Sequence, residues 1–95
     1  MKKLVGVRYI NRNKELSKRE YTYYTDILLE DGDLVNCPTV HGDVVGLVTV
    51  LDVPEDKIEG FKDKVKTITH KASIVYNDNG TIKGFVKQEG EENVD

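Results

Sequence analysis

Between residues 31 and 52 the chain reads DGDLVNCPTVHGDVVGLVTVLD, and Cys37, His41 and Asp43 in it are residue types that bind metals or build catalytic sites. As a metal site, Cys-x3-His-x-Asp supplies too few ligands for a closed zinc centre. His70 is distant in sequence, and no second Cys or His pair stands at a workable spacing. As a nucleophile, Cys37 follows a strand, so no helix N-terminus lowers its pKa, and no third residue is placed to orient His41. The competing reading is the corner of a small barrel, with Cys37 turned inward as a small apolar group and His41 and Asp43 in an exposed turn. The acidic runs LEDGDL and PEDKIE read as a turn and a helix start, and GDVVG lacks the Lys and Ser or Thr of a phosphate loop. The corner is the expectation: no metal, no cofactor and no catalytic residue.

A second chemistry is aromatic and basic. Tyr9, Tyr21, Tyr23 and Tyr24 lie near Arg8, Arg12, Lys14, Lys18 and Arg19 in sequence. In a strand Tyr21 and Tyr23 share one face, while Thr22 and Tyr24 share the other. On an exposed face the rings would stack on unpaired bases beside these cations. Equally, they complete the core or form a protein-binding hot spot. Together with Thr22 these residues are the candidate binding surface. Protein contact is placed ahead of nucleic acid, because the net charge is −3 and an acidic central block repels phosphate.

Composition bounds the rest. Leu, Ile, Val and Phe make up 28 of 95 residues, enough to fold one small core but not two. Val accounts for 13 of them and Pro occurs only twice, which favours strands. No apolar run is long enough to span a membrane, and no apolar block follows the initial MKK, so neither a membrane span nor a secretory signal is expected. A single cysteine fits a reducing cytoplasm. Charge is segregated: residues 1–19 carry seven positive and one negative, 20–61 one positive and ten negative, 62–88 six positive and two negative. Such blocks make fields only if folding gathers them.

The elements that must position these residues are mostly strands. KLVGVRYIN alternates Val5, Val7 and Tyr9 against Leu4 and Ile10, a first strand. After the charged loop RNKELSKRE, YTYYTDI is a second, and EDGD a turn at Gly32. LVNC is a short strand ending at Pro38, and TVHG a tight connection. Residues 44–51 are apolar almost throughout and read as the central strand, covered on both faces, with Gly46 marking a bend. Ile58 and Phe61 suit one short helical turn over a barrel end, KVKTITH an edge or bulged strand, and residues 72–86 a hairpin turning at Asn79-Gly80. The fold class is therefore mainly β. It is a small, strongly bent antiparallel β-barrel with a C-terminal β-hairpin and at most one short helical turn. Residues 1–88 form the single domain and 89–95 an acidic disordered tail.

In this order Val5 and Val7, Tyr21 and Tyr23, Gly32, Val35 and Pro38, Gly46 and Val48, and Lys64 and Val65 resemble the N-terminal 3′-DNA-binding domain of the replication-restart helicase primosomal protein A, over residues 3–69. The resemblance implies a free-standing barrel of that kind, without helicase machinery; separately, a short acidic chain of this look is similar to phage or mobile-element accessory proteins. It also implies a pocket for a 3′-terminal nucleotide between the two aromatics. That family carries an acidic residue there and a V-P-F-G loop; here stand Thr22 and CPTVHG. A Thr hydroxyl hydrogen-bonds with less charge and reach than a carboxylate. The expected function is a non-enzymatic, cytoplasmic binding module, monomer or homodimer, acting as an adaptor or modulator of another protein in replication or host interaction. The alternative is a single-stranded or 3′-end DNA-binding module.

Overall fold

Alternation in the first apolar stretch organises the sheet. In the computed structural model, which describes residues 3–88, β1 (Lys3–Tyr9) turns Val5 and Val7 into the core. It pairs antiparallel on both sides, with β2 (Tyr21–Thr25) and with β4 (Gly42–Val50). β3 (Leu34–Thr39) lies beyond β4 and β5 (Thr67–Ile68) beyond β2, giving the order β3-β4-β1-β2-β5. The sheet bends until its ends meet: the Asn36 N–H donates to the His70 carbonyl at 2.9 Å, and Val35 bridges Lys71 just after β5. The result is a nearly closed, mainly β barrel. β6 (Ala72–Tyr76) and β7 (Ile82–Lys87) form the appended hairpin, turning at Asn79-Gly80 with Gly80 at φ 91°.

The core cluster is Val5, Val7, Tyr23, Leu29, Val35, Cys37, Val48 and Ile68. Thr25, the buried polar residue among the described ones, is satisfied: its hydroxyl donates to the Ile68 carbonyl at 3.0 Å and accepts from the Ile27 N–H at 3.3 Å. Among the described residues no helix is long and apolar enough to cross a membrane.

Several expectations need correcting. β5 runs parallel to β2, so the barrel is not wholly antiparallel. Pro38 lies within β3, opposite Asp43, and does not end it. The Asn36 N–H points away from β4, and Pro38, two residues on, shares that phase, so its missing N–H costs no bond of the β3–β4 ladder. β4 is interior, but the middle strand of the sheet is β1. In β4, Val45 and Val48 are buried on opposite faces, while Val44 near its start is exposed. The single helical turn is two short 3-10 turns, Glu55–Ile58 and Lys62–Lys64, separated by Gly60 at φ 97°. That reversal buries Ile58 and leaves Phe61 47% exposed, so the two do not cap the barrel as a pair. The acidic tail, residues 89–95, lies outside the described residues.

Gly46 is required by close packing. A Cβ there would stand 2.9 Å from Cys37 Sγ and 3.2 Å from Val7 Cβ. Gly46→Ala is expected to cost about 1–3 kcal/mol by overpacking. Gly84→Ala in β7, where a Cβ would meet nothing within 4 Å, should be close to neutral. Urea titrations of both variants provide the check, and equal midpoints would refute the close contact.

Candidate functional site

The register of β1 against β2 builds the site. Val7 faces Tyr21 and Val5 faces Tyr23, so both tyrosines point inward, with Tyr9 two residues beyond Val7 on the same side. Tyr23 lies deepest, at 5% exposure. Its hydroxyl donates to the Pro38 carbonyl at 3.0 Å, which can only accept; the 2.7 Å contact with Tyr9 is therefore donated by Tyr9. Burial holds both phenols above their ordinary pKa, in Tyr9 against the opposing pull of the Tyr23 hydroxyl. Tyr9 and Tyr21, half-buried nearer the barrel end, stack with centroids 4.2 Å apart and planes within 9°. The Arg19 guanidinium lies 5.7 Å from the Tyr21 ring centroid, a cation–π contact.

The strand that follows the 3-10 turns completes the wall. The Tyr24 N–H donates to the Lys66 carbonyl at 2.9 Å, laying Lys66 alongside β2, with Lys64 ending the second 3-10 turn just before it. A cleft of about 400 Å³ opens there, lined by Tyr9, Arg19, Tyr21, Thr22, Tyr23, Pro38, Phe61, Lys64 and Lys66, with Glu20 and others. Arg19 comes from the first basic block and Lys64 and Lys66 from the second, so folding gathers two stretches of like charge that the acidic block separates in sequence. Among the described residues three cations face one carboxylate, and Glu20 already accepts a hydrogen bond from the Thr49 hydroxyl at 2.7 Å. The cleft is therefore locally positive on a chain of net negative charge.

The other candidates are placed elsewhere. Arg8 is structural, donating to the Ser17 and Lys18 carbonyls at 3.0 and 2.6 Å and so tying the charged loop to β1. Arg12 donates to the Lys83 carbonyl at 3.3 Å and lines, with Lys14, a separate shallow pocket against the hairpin turn. Lys18 is exposed outside the cleft, and Tyr24 lies opposite Leu4 on the other face of the sheet from Tyr23. Of the proposed surface, Tyr9, Arg19, Tyr21, Thr22 and Tyr23 converge. Phe61, Lys64 and Lys66 join them unforeseen, and the only sequence signal for the lysines was the positive block after residue 61.

The DGDLVNCPTVHGDVVGLVTVLD stretch is the β3–β4 corner. Cys37 is fully buried, and burial, reinforced by the Asp43 charge, pushes its thiol up to about 12. Asp43 accepts from the Asn36 side-chain amide at 3.1 Å across the β3–β4 pair, and the His41 N–H donates to the Thr39 hydroxyl at 3.1 Å within the turn. Among the described residues no three His, Cys, Asp or Glu side chains gather as a metal site would need. Comparison with protein-family models, curated proteins and solved structures found no match for this chain.

Proposed function

We propose that this chain is a non-enzymatic small-barrel module that takes a single nucleic-acid strand in the tyrosine-lined cleft. One observation carries the reading: the stacked Tyr9–Tyr21 pair and the cations Arg19, Lys64 and Lys66 line the same cleft. Bases need a π-face and phosphates need cations at strand spacing, and a single-strand groove combines the two. A protein hot spot at this end would more often be apolar and depleted in lysine. The protein's net charge opposes phosphate at long range, so the affinity is modest and rests on the local patch.

Fluorescence anisotropy with labelled single-stranded oligonucleotides tests this. Binding should weaken with salt, with a log–log slope of about −2 for three phosphate contacts on a single strand. Lys64→Glu combined with Lys66→Glu should abolish it with the melting transition intact. Tyr21→Ala should weaken it roughly tenfold or more, as loss of one stacking contact does. With Thr22 where the resembling family has an acid, oligonucleotides with a free or a phosphate-blocked 3′ end should bind alike. No binding at low salt, or binding indifferent to the charge reversals, would sink the proposal. A strong preference for the free 3′ end would replace it with the end-recognition reading.

A further inference from the structure

We infer that the barrel end opposite the tyrosines is a docking site for a peptide segment carrying an apolar side chain flanked by Lys or Arg. β1 begins there, β2 ends there, and the chain leaves β4 there, so Lys3, Asp26, Leu28, Leu51 and Asp52 line one cleft of about 290 Å³. Leu28 is 86% exposed, although its neighbour Leu29 is buried in the core cluster. After β2, Ile27 and Leu29 pack toward the core, and Leu28 between them is left outside. Leu51, at 38% exposure, lies across the cleft with it. An apolar pair rimmed by polar groups is the usual form of a recognition surface.

Charge selects the occupant. Asp26 and Asp52 stand in the rim, and no hydrogen bond or ion pair with another described residue engages either carboxylate. Among the described residues Lys3 is the single cation in the lining. The acidic residues Glu30 and Asp31 follow closely in the same loop. Residues 89–95 of this chain carry four carboxylates and no cation, the wrong sign for this rim. Nucleic acid is repelled for the same reason. A basic–apolar peptide places its aliphatic group between Leu28 and Leu51 and its cations against Asp26 and Asp52. The two ends of the barrel then carry opposite chemistries, which suits a module that joins a strand to a protein.

The test is amide chemical-shift mapping of the full chain with a Gly-Arg-Leu-Leu-Arg-Gly peptide and its Gly-Glu-Leu-Leu-Glu-Gly twin, at low and moderate salt. The basic peptide should shift amides of residues 26–29 and 51–52 and leave those of Tyr9, Tyr21 and Lys64 in place; the acidic twin should shift none. Leu28→Ser, at a position too exposed to endanger the fold, should weaken binding roughly tenfold or more, as loss of an apolar anchor does. Asp26→Asn with Asp52→Asn should remove the preference for the basic peptide. Equal response to both peptides, no response at millimolar peptide, or unchanged binding by Leu28→Ser overturns the inference. So would shifts of the same amides on simple dilution of the protein, which would mark a contact between copies. Because the mapped amides belong to one end only, failure here is separable from failure of strand binding at the other.

Discussion

Val48→Asp is expected to abolish the cooperative thermal transition. Val48 is fully buried, stands opposite Val7 in the β1–β4 ladder, and belongs to the cluster that fills the barrel. Its backbone also anchors the loop before β3: the Gly32 N–H donates to the Val48 carbonyl and the Val48 N–H to the Asp33 carbonyl, both at 2.9 Å. A carboxylate there has no buried cationic partner, since among the described residues Thr25 is the only buried polar side chain. Ionised, it loses its hydration without compensation; protonated, it still leaves polar atoms unpaired. Either cost is several kcal/mol, against a total stability of about 5–15 kcal/mol for domains in general. Leu28→Asp, the same chemical change on an exposed side chain, should leave the transition within a few degrees of wild type. Circular dichroism melts of the pair decide the matter; a cooperative transition retained by Val48→Asp would remove β4 from the core.

Local patterns in the chain were sufficient for the strands and turns, because alternation and turn chemistry act over a few residues. β1, β2 and the β6–β7 hairpin lie close to where Val5 and Val7, Tyr21 and Tyr23, and Asn79-Gly80 place them. What could not be read locally depends on pairing across the barrel. β5 is only two residues long, and nothing in Thr67–Ile68 signals a parallel partner; its direction follows from how the chain returns after Gly60. Tyr21 and Tyr23 have the same type, strand and face, yet one stacks near the barrel end and the other is sealed in the core. Depth along the barrel axis separates them, and sequence spacing carries no measure of it. The cleft itself is non-local: Lys66 joins Arg19 in its lining because the Lys66 carbonyl accepts from the Tyr24 N–H of β2, and Lys64 ends the 3-10 turn just before it. Charge blocks suggested that some field could form; the parallel pairing determines where.

Alkaline pH should unfold the domain through Cys37. Its thiol has a reference pKa of 9.0 and is pushed up to about 12 in the folded chain, first by burial and then by the Asp43 charge. The folded state therefore keeps a proton that the unfolded state releases. The stability from this group is fully present below pH 9 and is lost as the pH rises toward 12, at up to about 1.4 kcal/mol per pH unit, or about 4 kcal/mol over the window. Tyr23, whose phenol is raised chiefly by burial and further by its hydrogen bond with Tyr9, acts in the same direction above pH 10. Cys37→Ala isolates the thiol. The variant should be less stable than wild type at pH 7, because it leaves space beside Gly46 and Val7, yet lose less stability between pH 9 and 12. Urea titrations at half-unit steps, with reductant present, measure both slopes; parallel slopes would show that the thiol is not held protonated by the fold. The same shift bears on chemistry at neutral pH, where a buried thiol kept protonated has neither the charge nor the access to act as a nucleophile.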